Sequence, residues 1–358
     1  MRERYPAGGS FPTQDQLMRR FGVARATIQQ VIAQLVQQGL IEPRRGSGTT
    51  VVARPPHRHD YALVFPTSPA TTGGELWSRF YAALVNQAAA LSQGGEKRVI
   101  PFYGMDNGVN ASEYPRLLQR VQSHRLAGII FATPPFRLEN TAVLEEPGIP
   151  RVALMGSLES RFPRTLAVAL GAAHGEIDVS YWEKALEYLA GRGRKRVAVL
   201  TLHNITKLLQ AIQPLLSARG MSLHPCGLMP FGPVDGARVY VHALMQRRDE
   251  ARADALIVSD DNLVEPAIAG LIAAGVGIGV ELDIVAHCNF PWAGSMVVPV
   301  KRLGYDSQTL LRTCIELVDR QHRGEPVPPV TTIKAMFEEE LNNQKQMEGH
   351  NQLEERKT

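Results

Sequence analysis

The chain has 358 residues, of which 44% are hydrophobic and 21% charged, a composition typical of a globular protein with two or three compact units. No apolar run approaches the roughly 18 residues that span a bilayer, and the N-terminus lacks the apolar core of a secretion signal. The three cysteines, Cys226, Cys288 and Cys314, have no Cys-x-x-Cys spacing, which argues against a disulfide framework or a zinc site. We therefore expect a cytoplasmic protein that holds no metal and no cofactor.

Positive charge is concentrated at the N-terminus. The first 60 residues contain nine arginines, no lysine and four acidic residues, a net charge of +5. Because the whole chain carries +4, the remainder sums to −1. This asymmetry indicates that the N-terminal segment meets a polyanion and that the rest does not, although a solvated basic surface would give the same count.

The first predicted elements are two helices joined by a tight turn. Thr13 and Gln16 have the spacing of a capping box, which predicts a helix from Thr13 to about Phe21 that ends at Gly22. Apolar residues at helical spacing predict a second helix over 25–38. This is a helix-turn-helix, whose second helix presents its first residues to DNA bases. The exposed polar residues at that end are Arg25, Thr27, Gln29 and Gln30.

A wing follows the second helix. Residues 40–52 indicate two short strands around a glycine-containing turn, whose tip carries Arg44, Arg45 and Gly46. Glycines without side chains allow the backbone to approach phosphates or a narrow groove closely, and the arginines supply the charge. We therefore predict that residues 1–53 form a DNA-binding domain with a winged helix-turn-helix fold.

The rest of the chain is predicted to be a linker, a large domain and a tail. Residues 54–60 contain consecutive prolines and no helical periodicity, which predicts a semi-rigid spacer. From residue 61 to 340, strands alternate with amphipathic helices in two successive series, the second beginning with the strand 166–170. Such alternation favours an α/β domain of two Rossmann-like lobes, with ligands bound beyond the carboxyl ends of the strands. The polar residues 341–358 are expected to be disordered.

Residues 11–49, with the sequence FPTQDQLMRRFGVARATIQQVIAQLVQQGLIEPRRGSGT, resemble the winged helix of GntR-type regulators. The resemblance implies base contacts by Arg25 and Thr27, and places Arg45 and Gly46 at the wing tip. The chain differs at Gln14 and Asp15, where the family usually has Arg or Glu, and at Ala24, where it usually has a Ser or Thr cap. The family's additional first helix is also not found before this motif, so the module looks truncated.

The larger domain resembles the sensor of LacI/GalR-type regulators, which is similar to periplasmic binding proteins. The resemblance is carried by LAGIIFA (126–132), GIPRVAL (148–154), GRKRVAVL (193–200), ADALIVSDD (253–261) and VPVKRLG (298–304). Joined to a GntR-type head, such a domain is the architecture of AraR-like sugar-responsive repressors. The resemblance implies a ligand site that includes Trp77, Asp260, Asp261 and Asn289, with Lys207 near the place of the family's missing arginine.

Several alternatives remain open at this point. Asp260 and Asp261 are also suited to capping a helix, and Trp77 to a hydrophobic core. The glycines at 275–279 follow a helix and precede a strand, the reverse of a dinucleotide-binding loop, so we do not expect an enzyme. The sequence predicts a homodimeric DNA-binding regulator, expected to be a repressor, controlled by a small molecule with a sugar as one candidate. The alternatives are a sugar-binding protein, or a DNA-bound protein with a silent sensor.

Overall fold

The computed structural model describes most of the chain. The described residues are 5, 8–44, 48–53, 55–69, 78–154, 162, 164–172, 176–201, 205–230, 235–246, 252–291 and 298–355. Among them, no helix combines the length and the apolar character needed to cross a bilayer. The statements below refer to these residues.

The N-terminal head contains the predicted helix-turn-helix and wing. Its elements are β1 (Ser10–Phe11), α1 (Gln14–Phe21), α2 (Arg25–Gln37), β2 (Ile41–Arg44) and β3 (Gly48–Val51). The strands form an antiparallel sheet in the order β1-β3-β2, in which the unpredicted strand β1 pairs with the outer edge of the wing strand β3. A small core of Phe11, Leu17, Ile28 and Ile41 holds the helices on this sheet.

The two helices of the head begin differently. The Thr13 hydroxyl accepts a bond from the Gln16 backbone N–H at 3.3 Å, and the Gln16 side chain accepts one from the Thr13 N–H at 2.9 Å, so the predicted capping box is confirmed. Ala24, at the N-cap of α2, offers no side-chain acceptor. The recognition helix α2 therefore starts without the hydrogen bond that stabilises the start of α1.

Replacing Ala24 by serine is expected to stabilise the head. The backbone of Ala24 is extended, with φ −65° and ψ 153°, the conformation in which an N-cap side chain reaches back to the helix. We expect a gain of about 1 kcal/mol, measured as a higher urea midpoint of the head's unfolding. The control is Thr13→Ala, which should lose a similar amount; an unchanged midpoint for Ala24→Ser would contradict the prediction.

The linker is not the extended spacer that the prolines predicted. Pro56–His59 form one turn of helix, α3, because proline is well suited to the first helical position, where its missing N–H costs nothing. Pro56 is buried. A methyl group added at Gly39, just after α2, would lie 2.9 Å from the Pro56 ring. The linker thus packs against the end of the recognition helix, and the head contacts the larger domain.

The larger domain shows the predicted alternation of strands and helices. Its first part contains β4 (Asp60–Val64), α4 (Arg79–Gln93), β5 (Arg98–Phe102), α5 (Tyr114–Gln122), β6 (Gly128–Phe131), α6 (Ala142–Glu145), β7 (Arg151–Leu154) and β8 (Thr165–Leu170). Its second part contains α7 (Val179–Gly191), β9 (Arg196–Thr201), α8 (Ile205–Ala218), β10 (Ser222–Pro230), α9 (Asp235–Met245), β11 (Ala255–Val258), α10 (Val264–Ala273), β12 (Asp283–Phe290), β13 (Lys301–Asp306), α11 (Ser307–Arg323), β14 (Val330–Ile333), β15 (Met336–Phe337) and α12 (Glu338–Glu355). Between β6 and α6 the chain also forms a 3-10 turn at Phe136–Leu138, and α6 itself is only one turn long.

Two six-stranded sheets define the two lobes. The first has the order β14-β8-β7-β6-β4-β5 and is parallel throughout. The second has the order β10-β9-β11-β12-β13-β15, in which β15 is antiparallel to β13. The sequence assigned residues 166–170 to the second series, which is wrong, because β8 pairs with β7 and β14 of the first sheet. Alternation shows that a strand is parallel but not which sheet it joins.

The chain passes between the lobes more than once. After completing most of the second sheet it returns through α11, whose Leu310, Cys314 and Val318 lie in the core of the first lobe. Gly128 of β6 leaves room for this helix, since a methyl group there would lie 2.7 Å from Val318. Strand β14 then adds an edge to the first sheet, and β15 returns to the second.

The C-terminal segment is a helix where the sequence predicted disorder. Leu341 of α12 is buried, and Lys345 pairs with Asp306 at 2.9 Å. In the first turn, Glu338 pairs with Arg302 at 2.6 Å and Glu339 with Lys301 at 2.8 Å. The segment has no amphipathic pattern from which a helix could be predicted. It forms because these contacts anchor its first turns, and because acidic residues at a helix N-terminus are favourable.

Candidate DNA interface and interlobe site

The first two turns of α2 present the predicted DNA-reading residues to solvent. Ile28 faces inward and is buried in the head's core. The residues that surround it in the helix are all exposed, namely Arg25, Thr27, Gln29 and Gln30. Helical periodicity explains this arrangement, because one buried anchor leaves the other faces of the helix outward. The structure thus brings the four predicted base contacts onto one exposed end of the recognition helix.

Arg25 is held by a carboxylate of the preceding helix. Its Nη2 donates to Asp15 Oδ1 at 2.9 Å, and the two side chains are 62% and 60% exposed. An arginine at a helix N-terminus is unfavourably placed with respect to the helix dipole, and the first turn of α2 contains no acidic residue. Asp15 supplies that negative charge from α1. This contact is not predictable from the sequence, in which Asp15 stands out only as a departure from the family.

The wing contains a second ion pair between an arginine and a carboxylate. Arg44, at the end of β2, donates from Nη2 to Glu42 at 2.7 Å, and both side chains are substantially exposed. Arg45 and Gly46, the predicted wing tip, lie outside the described residues. Among the described residues of the head, both acidic side chains are therefore bound to an arginine that the sequence predicted at the DNA surface.

A cavity of about 560 Å³ separates the head from the first lobe. Val36 and Ile41 line it from the head, and Arg98 and Arg125 line it from the lobe. The head faces this cavity with the end of α2 and the base of the wing. The start of α2, with the predicted DNA contacts, is not among the described lining residues, so contact with the larger domain leaves that surface open.

The two lobes meet where α4 of the first lobe faces the β11–α10 connection of the second. The Arg79 backbone N–H donates to Asn262 Oδ1 at 3.1 Å, and its guanidinium pairs with Glu265 at 2.8 Å. Asp260 accepts bonds from the Asn262 N–H at 2.9 Å and from its side-chain amide at 2.8 Å. Asp260 therefore stabilises the turn before α10 but does not cap that helix, whose N-cap is Leu263 without a side-chain hydrogen bond.

Asp261 and Asn289 form a buried pair beside this contact. Asn289 Nδ2 donates to Asp261 Oδ2 at 2.7 Å, and the two residues are 2% and 7% exposed. Burial raises the pKa of Asp261, while His287 and the bond from Asn289 act in the opposite direction. The structure therefore brings together Asp260, Asp261 and Asn289 at the carboxyl ends of β11 and β12, where sequence reasoning placed a ligand site.

The structure describes one of the two remaining predicted ligand residues. Lys207, near the start of α8, pairs with Glu176 at 3.2 Å, and both side chains are largely exposed. Trp77 lies outside the described residues. The roles of these residues in binding a ligand stay predictions.

An aromatic and acidic group that sequence reasoning missed adjoins the buried pair. The Tyr305 hydroxyl donates to Asp178 at 2.9 Å, and the His287 ring lies 5.8 Å from that of Tyr181 and 5.7 Å from that of Tyr305. The Tyr181 hydroxyl is buried and has no hydrogen-bond partner among the described residues. Burial, followed by the nearby carboxylates, raises its pKa far above the ordinary value. Asp178 and Tyr181 both lie at the start of α7. The apolar periodicity of this helix indicates core residues, so the sequence contains no separate sign that these two side chains belong to a polar group.

Comparison with known proteins agrees with this two-part organisation. Residues 1–51 match the model of the family described as bacterial regulatory proteins, gntR family. The arabinose metabolism transcriptional repressor of Halalkalibacterium halodurans is 21% identical over 331 residues, which cover 86% of this chain and 84% of that protein. The probable transcriptional regulator PhnF of Escherichia coli is 40% identical over 63 residues, 18% of this chain and 25% of that one.

The larger domain matches solved structures of LacI-family regulators. A LacI-family transcriptional regulator from Arthrobacter sp. FB24, in complex with lactose, superimposes with a TM-score of 0.58 at 15% identity, covering 78% of this chain and 97% of that one. The head and the two-lobed domain together define a transcription regulator. More particularly, the chain joins a gntR-type helix-turn-helix head to a domain with the fold of LacI-family regulators.

Proposed function

We propose that the protein is a repressor whose affinity for a DNA operator is controlled by a small molecule bound between the two lobes. On the head, Arg25 and Thr27 read bases with help from Gln29 and Gln30, and the wing arginines Arg44 and Arg45 hold the backbone, with Gly46 allowing close approach. Two copies, paired through their larger domains, place two heads on a roughly palindromic site. The protein acts in the cytoplasm, where its DNA is, and it is a regulator rather than an enzyme.

The observation that carries the proposal is the contact between the lobes at Arg79 and Asn262. It lies beside Asp260, Asp261 and Asn289, at the strand ends where ligands bind in such sheets. A ligand there touches both lobes, so it changes how they are oriented. The first lobe contacts the head through the linker helix, which gives lobe movement a path to the DNA-binding domain.

A sugar is the first effector to test. Carboxylates accept hydrogen bonds from hydroxyl groups, and the LacI-family structure from Arthrobacter contains lactose. Asp260 and Asp261 are the proposed acceptors, Asn289 orients Asp261, and Trp77 and Lys207 are proposed to complete the site. The arabinose repressor of Halalkalibacterium halodurans makes arabinose a second candidate.

The test is a thermal denaturation scan of the full-length protein with a panel of sugars and nucleosides. A ligand present at 100 times its Kd is expected to stabilise the folded state by about 2.7 kcal/mol through mass action. The same ligand should release the protein from DNA selected from a random library. Asp260→Ala should abolish the stabilisation, whereas Glu183→Ala, on an exposed position of α7, should not.

A panel in which no compound raises the melting temperature would favour the alternative of a DNA-bound protein with a silent sensor. Stabilisation by a sugar without any effect on DNA binding would favour a sugar-binding protein. The two results contradict different parts of the proposal, because the first removes the ligand and the second removes its coupling to the head.

A further inference from the structure

We infer that Asp15 is a specificity-determining residue, which holds Arg25 in the orientation that reads a base and penalises binding to other sequences. The inference rests on the proposed role of Arg25 and adds a function for a residue of the other helix. Its geometric basis is the bond of 2.9 Å from Arg25 Nη2 to Asp15 Oδ1.

The location of Asp15 needs an explanation. A carboxylate within a Debye length of about 8–10 Å of DNA phosphates is repelled by them, so it weakens attraction to any duplex. The first 60 residues otherwise contain nine arginines, which strengthen that attraction. Because both side chains of the pair are about 60% exposed, the pair adds little to the stability of the fold. Asp15 also lies in the first turn of α1, where a carboxylate is favourable, but that position does not require its contact with Arg25.

The pairing changes what Arg25 can do on DNA. An unattached arginine is long and flexible, and it binds any phosphate within reach. The bond to Asp15 occupies one of the five guanidinium N–H donors and restricts the orientations of the group, while the 62% exposed side chain remains open to the groove. A guanidinium restricted in this way can form the bidentate contact that distinguishes guanine, and a partly neutralised one gains less from phosphates. Asp15 thus lowers the affinity for DNA of any sequence and raises the preference for the base that Arg25 reads.

The experiment measures base preference. Operator sequences are selected by the full-length protein from a random duplex library, and the position read by Arg25 is located as the one whose preference is lost in Arg25→Ala. For Asp15→Asn, the preference at that position is expected to fall about tenfold, as for a weakened bidentate contact. Binding to a scrambled duplex should strengthen, and its dependence on salt should steepen by about one unit, because Arg25 is released to contact a phosphate.

Two variants serve as controls. Glu42→Gln breaks the matching pair with Arg44 on the wing and removes the same charge from the same head. It should strengthen binding to all sequences while leaving the base preference at the Arg25 position unchanged. Asp15→Glu, which keeps the carboxylate, should restore most of the preference. The melting temperature of Asp15→Asn should fall only slightly, because a charge is removed from the first turn of α1, and this small change excludes loss of the fold.

The outcomes separate this inference from the proposed function. If Asp15→Asn strengthens binding to every sequence equally, as Glu42→Gln does, Asp15 acts only through its charge and the inference is wrong. If Arg25→Ala already leaves base preference unchanged, the proposed contact of Arg25 is overturned, and the role of Asp15 with it.

Discussion

Replacing Arg25 by alanine is expected to reduce operator affinity by about 1–3 kcal/mol, a loss of roughly 5- to 150-fold. Arg25 is the first residue of the recognition helix, is 62% exposed, and is held by Asp15 toward the surface where a duplex would lie. Alanine removes all of its donors without altering the buried anchor Ile28. The loss should therefore appear in DNA binding and not in folding.

A gel-shift titration at fixed salt measures this effect, with the selected operator and a scrambled duplex compared side by side. The matched control is Arg58→Ala, which removes the same charge from an exposed position of the linker helix. Arg58→Ala should weaken both duplexes to a similar, smaller extent. Arg25→Ala should weaken the operator much more than the scrambled duplex, and equal losses on the two duplexes would exclude a base contact.

Replacing Gly304 by alanine is expected to destabilise the second lobe by about 3 kcal/mol or more. Gly304 of β13 pairs with Cys288 of β12, and a methyl group there would lie 1.9 Å from the Cys288 carbonyl oxygen. Since the obstacle is backbone rather than a flexible side chain, one strand must move. Cys288 lies between His287 and Asn289, so the same displacement disturbs the interlobe site.

Urea unfolding followed by circular dichroism measures the change. Gly191→Ala is the control, because Gly191 lies in α7 of the same lobe, and a methyl group there meets nothing within 4 Å. That variant should be as stable as the original protein or slightly more so, since alanine favours a helix over glycine. A variant Gly304→Ala with an unchanged unfolding midpoint would show that the two strands can separate at little cost.

Local rules were sufficient for the two helices of the head. The capping box of Thr13 and Gln16, the glycine that ends α1 and the apolar spacing of α2 involve residues within one or two turns of each other, and each was confirmed. The ion pair of Asp15 with Arg25 could not be predicted in this way, because it depends on the angle between two helices. The departure of Asp15 from the family was a signal of it.

In the larger domain, features that depend on contacts between distant residues could not be predicted from the sequence. The pattern of β8 was identified correctly, but its sheet was not, since neighbours β7 and β14 are separated by more than 170 residues in sequence. The C-terminal helix α12 and the packing of Pro56 on Gly39 likewise depend on contacts with distant residues. Asp260, Asp261 and Asn289 were correctly placed at one edge of a sheet, because the ends of parallel strands necessarily share an edge.

The return of the chain through α11 and β14 has a consequence for biosynthesis. The core of the head is formed by residues of the first 51 positions and can form as soon as the head leaves the ribosome. The first lobe cannot, because its central helix and one edge strand are translated after nearly all of the second lobe. A nascent chain would therefore expose the apolar face of that sheet until synthesis is almost complete, and a premature stop near residue 300 would damage the half of the sensor encoded first.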